Sequence, residues 1–164
     1  MMRFRYPAFW IPALGGLICD RLSKLWVVTE FQLYQSWPIW PQVFHFTYVR
    51  NSGAAFSLFS GGSGWLRWLS FLVCLGLAVW AWFGPRMTRS EQWGYGLIFA
   101  GAFGNGLDRF YDGAVIDFLD FRLIGFPVFN IADVLINLGV ACLLLSFVRP
   151  LWTRRRSGQP PQTL

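Results

Sequence analysis

The chain has 164 residues, 55% of them hydrophobic, 20% aromatic and only 13% charged, with a formal net charge of +6. This is the composition of an integral membrane protein, and the length leaves no room for a further soluble domain of ordinary size. The basic excess does not point to nucleic acid, because it is gathered in short segments between and beyond long apolar stretches.

Crossing a bilayer takes roughly 20 apolar helical residues. Four stretches meet that length, at residues 8–28, 65–84, 93–111 and 128–148. The expected fold is an α-helical membrane protein, one domain over residues 1–164 with four transmembrane helices. Arg3 and Arg5 precede the first stretch, Arg86 and Arg89 separate the second from the third, and Arg149 and Arg154 to Arg156 follow the fourth. Four crossings put these segments on one side, and the positive-inside rule makes that side cytoplasmic. Both termini are then cytoplasmic, loops 29–64 and 112–127 face outward, and residues 149–164 form a basic tail, disordered from Arg154.

The first stretch follows a basic segment, as a signal peptide would. It is long, carries Asp20, Arg21 and Lys24, and no small-x-small cleavage site follows it, so it reads as a retained helix. Asp20 and Lys24 stand four apart on one helix face. Such a pair faces the bundle interior; a structural ion pair and a part in shaping a site are equally open. Arg21 lies about 100° round the helix from Asp20; if the first span ends near Val28 it could snorkel outward. Cys19, Cys74 and Cys142 fall inside the expected helices, match no metal or redox spacing, and read as buried inert thiols.

In the first outward loop, residues 43–49 alternate, with Phe44, Phe46 and Tyr48 on one face and His45 and Thr47 on the other. Pro38 and Pro41 break the run before them. A small sheet on the outer membrane surface is expected, with His45 at its surface. Residues 53–59 suit a short interfacial helix. A second strand pair is expected from residues 114–121 and 122–129, linked at Ile124 and Gly125.

The third helix ends in Gly104-Asn105-Gly106-Leu107-Asp108-Arg109. Asn105 and Asp108 lie one turn apart, and the glycines permit close approach of a neighbouring helix. The Gly-x-Gly-Asp signature of presenilin-type intramembrane proteases does not fit, because Leu107 separates Gly106 from Asp108. Asp108 and Arg109 read as a supporting hydrogen-bond shell. At the fourth helix, Asn130, Asp133 and Asn137 form one polar stripe. A carboxylate at a bilayer boundary is a functional-site hypothesis by default, and Asp133 has two candidate partners, Asp117 and Asp120, in the preceding loop. Spacing does not choose between them. No Cys/His cluster offers a zinc site, no serine has a base in a known motif, and no phosphate loop is present. On these residues alone an enzyme, a small transporter or channel with a path through Asp20, Lys24, Asp108 and Asp133, and a non-catalytic assembly factor all stay open.

Five elements in order resemble the lipoprotein signal peptidases (signal peptidase II), over about residues 15–140. They are Asp20-Arg21-Leu22-Ser23-Lys24, Asn51-Ser52-Gly53-Ala54-Ala55-Phe56-Ser57, Gly104 to Arg109, Val115-Ile116-Asp117-Phe118, and Phe129-Asn130-Ile131-Ala132-Asp133. Arg21 departs from the glutamine usual in that family. The resemblance implies a bacterial aspartic endopeptidase of the inner membrane with Asp117 and Asp133 as catalytic dyad, Asp120 outside it, and a small outward sheet near the site. It implies Asn51, Gly53, Asn105, Asp108, Arg109 and Asn130, with Asp20 and Lys24, as the supporting and substrate-binding shell. The substrate would be a diacylglyceryl-modified prolipoprotein cut before its lipidated cysteine. It further implies inhibition by globomycin and no metal or other cofactor. Membrane lipid is the other expected partner, nucleic acid is not one, and a monomer is favoured.

Overall fold

Residues 6–53 and 64–156 are described by the computed structural model, residues 149–156 by their backbone alone. Helix α1 (Pro7–Glu30) opens with Pro7 in its first turn, where a missing N–H costs no hydrogen bond. Its buried residues, among them Phe9, Pro12, Ala13, Gly16, Asp20, Lys24 and Val27, recur every three or four positions and make one face. The opposite face exposes Ile11, Leu14, Ile18, Leu22 and Leu25. Charges inside and aliphatic side chains outside invert the arrangement of a water-soluble helix.

Strands β1 (Ser36–Trp40) and β2 (Phe44–Asn51) follow, then α2 (Gly64–Phe83), α3 (Arg89–Tyr111), β3 (Val115–Phe121) and α4 (Ile131–Arg156). Helix α2, with mean hydropathy 1.7, and residues Ile131–Val148 of α4, with 2.3, are long and apolar enough to cross a membrane. Helix α3 is central and packs against α1, α2 and α4. It starts at a capping box in which the Thr88 hydroxyl accepts the Glu91 N–H and the Glu91 carboxylate accepts the Thr88 N–H at 2.7 Å. Gly101 and Gly104 set how closely the bundle can pack. A Cβ at Gly101 would collide with the Ala132 carbonyl of α4, and one at Gly104 with the Asp20 carboxylate of α1.

The strands form one antiparallel sheet in the order β1-β2-β3. Pro38 lies within β1 instead of ending the run before the sheet. An edge strand tolerates it, because an edge N–H need not pair. Gly113, at φ +71°, makes the turn that sends the chain from α3 straight into β3. Val27 and Phe31 from the end of α1 pack with Tyr48, Ile116 and Phe118 and hold the sheet over that end of the bundle.

Several expectations are corrected. Residues 122–129 do not form a strand hairpin with 114–121; β3 pairs with β2, Arg122–Ile124 is a 3-10 turn closed by left-handed Gly125, and only Leu119 and Phe129 bridge. His45 is buried, with Nδ1 3.2 Å from the Ser36 hydroxyl. Cys74 is buried, but Cys19 is exposed and Cys142 half-buried; all three are free. Helix α4 continues through Arg156, so the start of the segment read as tail is helical. The interfacial helix expected over 53–59 lies outside the described residues apart from Gly53, as do Arg3, Arg5 and residues 157–164.

Candidate active site

Helix α4 begins immediately after Asn130, and that cap and its first turn build half of the site. The Asn130 side-chain oxygen accepts the Asp133 N–H at 3.1 Å, while Asp133 Oδ2 accepts the Asn130 N–H at 3.1 Å. This reciprocal cap satisfies two N–H groups that a helix start otherwise leaves unpaired, and it fixes the Asp133 carboxylate at the positive end of the helix dipole. The Asn130 amide also donates to Asp117 Oδ1 at 2.6 Å. One asparagine therefore ties the two carboxylates together.

Asp117 comes from the middle of β3 and is buried, opposite Val49 of β2. Its Oδ2 accepts the Asn51 amide at 2.9 Å, and the Asn51 side-chain oxygen accepts the Gly53 N–H at 3.0 Å, which turns the amide toward Asp117. Burial pushes the Asp117 carboxyl up to about 7, with a further push from the Asp133 charge; the Asn51 and Asn130 donors pull the other way without cancelling it. Asp120 is directed elsewhere. It accepts the Thr47 hydroxyl at 2.6 Å and pairs with Arg122 at 2.8 Å. Residues three apart in a strand face opposite sides, and that parity is the signal that separates Asp120 from Asp117 once residues 115–121 are read as one strand.

Behind the two carboxylates lies a buried polar chain. Asn105 donates its amide to Asp133 Oδ1 at 2.9 Å and accepts on its oxygen from Lys24 Nζ at 2.9 Å and from the Asn130 amide at 3.1 Å. Lys24 pairs with Asp20 at 2.9 Å and with Asp108 at 2.8 Å, all three side chains fully buried. Asp20 also accepts the Ala132 N–H at 3.1 Å, clamping the start of α4 to α1. Asp20 and Lys24 are thus both an ion pair and part of the scaffold of the site. Arg21 does not simply snorkel outward; it pairs with Asp108. The Arg109 guanidinium reaches the carbonyls of Asn105 and Gly53, each at 3.4 Å.

Asp117, Asp133, Asn51, Gly53, Asn105 and Arg109 line one cavity of about 1030 Å³. Its other walls include Val49, Val115, Phe126, Val128, Phe129 and Leu138. Sequence reasoning missed these apolar walls. The run from Phe126 to Phe129, directly before the polar stripe, was the available signal. Asn137, the last member of that stripe, borders the cavity and donates to the Asp133 carbonyl at 2.8 Å. Two linked carboxylates in an apolar-walled cleft, one of them titrating near neutrality, are equipped for general acid–base hydrolysis.

Residues 13–149 match the family model of Signal peptidase (SPase) II. The chain belongs to the signal peptidase II family. It is 56% identical to the lipoprotein signal peptidase of a Cyanothece species over 99% of this chain and 95% of that one. It is 63% identical to that of Microcystis aeruginosa over 84% of this chain and 90% of the relative. Two solved structures described as bacterial membrane enzymes share the fold. One matches with a TM-score of 0.81 at 26% identity over the full length of both chains. The other gives 0.77 at 28% identity over 90% of this chain and 97% of its own. Signal peptidase II enzymes are membrane aspartic endopeptidases, and this chain is an enzyme of that class with a helical membrane fold and a small three-stranded sheet.

Proposed function

We propose that Asp117 and Asp133 are the catalytic dyad of an endopeptidase that removes the signal peptide from diacylglyceryl-modified prolipoproteins, cutting before the lipidated cysteine. The observation that carries this reading is the Asn130 bridge, which bonds to both carboxylates at the edge of the large cleft. Two close carboxylates in a poorly solvated site share one proton. Asp117, raised by burial to about 7, carries that proton. Asp133, at the helix N-terminus, is the base. It takes a proton from a water that attacks the scissile carbonyl, while Asp117 donates to the carbonyl oxygen; a proton then passes to the leaving amine. Asn51, Asn105 and Asn130 hold the two carboxylates in place, and Arg109 and the Gly53 carbonyl border the path of the peptide. Globomycin is expected to occupy the same cleft.

The bundle crosses the inner membrane four times in this reading, with both termini cytoplasmic and the sheet and cleft at the outer face. The exposed faces of α1 and α3 support crossings beyond the two most apolar helices. Ile11, Leu14, Ile18, Leu22 and Leu25 on α1, and Trp93, Phe103 and Phe110 on α3, need an apolar surround, while the polar residues that lower the hydropathy of these helices point inward. Diacylglyceryl chains then stay in lipid while the peptide enters the cleft. Single cysteines placed in a cysteine-free background test the orientation. Position 125 should label from outside intact cells and position 88 only after the membrane is opened. Outside labelling at position 88 would reverse the topology.

The direct test is cleavage of a lipidated precursor peptide by the purified protein in detergent, followed across pH with and without EDTA. Activity requires the singly protonated pair, so the rate should be bell-shaped. The alkaline limb, loss of the Asp117 proton, is expected near pH 7. EDTA should move neither limb. A rate that stays flat into alkaline solution, or collapses with chelator, would remove the dyad mechanism.

A further inference from the structure

A second cavity lies between α2 and α3 and shares no residue with the catalytic cleft. Where the two helices face each other across it the side chains are small, Cys74 and Ala78 on α2 and Ala102 and Gly106 on α3. Cys74 and Ala102 are buried and form its floor, while Phe71, Phe103 and Phe110 are exposed and form its sides. Small residues in a membrane bundle ordinarily let helices close onto each other. Here a groove of about 340 Å³ stays open, the size of a small-ligand site. Asn105 and Arg109 line the cleft, whereas Gly106 and Phe110, each one residue further on and about 100° round α3, line the groove.

Arg67 stands at the head of the same stripe of α2, three and four residues before Ser70 and Phe71 of the groove wall. Its guanidinium carbon lies 6.0 Å from the centre of the Phe110 ring, and Trp68 meets that ring edge-on at 5.6 Å. The Arg67 Nε is shielded from solvent and bonds to no group among the described residues. No carboxylate among those residues pairs with it either. An arginine fork with an unfilled, shielded N–H at the mouth of an apolar groove is suited to a phosphate.

We propose that this groove binds one acyl chain of an anionic phospholipid, with the lipid phosphate on Arg67. The groove faces hydrocarbon, and its walls offer almost nothing to a polar occupant. Water needs two to four polar partners, and a peptide brings backbone groups that must be paired. An acyl chain needs neither, and it restores the contacts that α2 and α3 forgo along their small residues. The phosphate supplies the acceptors that the Arg67 fork lacks. Trp68 beside it is an aromatic of the kind that sits at headgroup level. A diacylglyceryl group on a substrate carries similar chains but no phosphate, so it leaves Arg67 unanswered. In the four-crossing topology the start of α2 meets the outer leaflet; the groove and its arginine are independent of that topology.

The experiment uses the purified full chain in detergent and phosphatidylglycerol carrying a diazirine in the middle of one acyl chain. After illumination the labelled residues are mapped by mass spectrometry. Label should gather on residues 71–78 and 99–110, and unlabelled phosphatidylglycerol should remove it. Diacylglycerol with the same chains should compete roughly tenfold less well, the scale of one lost charge-assisted contact. Arg67→Gln should weaken capture of the labelled lipid by a similar factor, and Ala78→Leu, which fills the groove, should abolish labelling there. Label spread evenly over the exposed helix faces, or diacylglycerol competing as well as phosphatidylglycerol, would overturn the proposal. So would a diacylglyceryl precursor peptide that displaces the label equally well, because the groove would then belong to the substrate. If Arg67→Gln does not accumulate folded, the comparison of competitors on the unaltered protein decides. The readout is lipid capture and not cleavage, so it stands or falls apart from the dyad.

Discussion

Asp117→Asn and Asp133→Asn should each lower cleavage by about 10⁴-fold, the scale on which removing one member of a cooperating catalytic unit acts. An amide has nearly the shape of a carboxylate, but it neither takes a proton from water nor passes one on. At Asp117 the replacement carries one acceptor where two amides, from Asn51 and Asn130, now donate. Its own NH2 must face one of them. That mismatch costs about 1–3 kcal/mol, so the thermal midpoint should fall modestly while activity disappears. At Asp133 the replacement oxygen can still accept the Asn130 N–H, and the helix start should survive. Asp120→Asn is the control. Asp120 bonds to Thr47 and Arg122 and does not line the cleft, so most activity should remain. The measurement is single-turnover cleavage of a lipidated peptide beside a thermal unfolding curve. Appreciable turnover by either dyad variant would sink the assignment, and an inactive but folded Asp120→Asn would move it.

The helices were legible because their signals are local: long apolar stretches, and glycines where helices touch. The polar stripe of α4 was legible for the same reason, since Asn130, Asp133 and Asn137 share a face whatever they meet. The segment after β3 was misread. Residues 122–129 have the aromatic and β-branched content of a strand, but Arg122 is drawn to Asp120 and Ser36, and its backbone to Val43. Those tertiary bonds turn the chain into a 3-10 helix. Arg21 was misread too. From its own helix it looked like a side chain bound for the surface, and its partner Asp108 stands 87 residues away. Contacts of that range leave no mark in periodicity. The choice of Asp117 over Asp120 lies between these cases: strand parity separates them, but only for a reader who already takes residues 115–121 as one regular strand.

Lys24→Met should be the most destabilising single change in the bundle. The lysine side chain is fully buried, with Asp20 at 2.9 Å and Asp108 at 2.8 Å, both carboxylates equally buried. Methionine fills much of the same volume, so the loss would not be one of packing. It would come from two carboxylates left with less than their compensating charge. Asp20 would retain the Ala132 N–H, and Asp108 would retain Arg21 and a long contact to the Ile116 N–H. Breaking a buried pair in this way costs about 3–5 kcal/mol, a large share of the roughly 5–15 kcal/mol that a domain has. The contrast is Arg50→Gln. Arg50 and Asp112 lie 3.7 Å apart with both side chains about half exposed, and an ion pair in that setting contributes at most about 1 kcal/mol. Removing the stranded charge as well separates the two explanations. If uncompensated charge is the cause, Lys24→Met/Asp20→Asn should unfold at a higher temperature than Lys24→Met alone, although it carries one more substitution. Thermal unfolding in a single detergent measures all three. A double variant no more stable than the single would mean that Lys24 stabilises the bundle by packing, and that the charge balance around Asn105 matters less than its geometry.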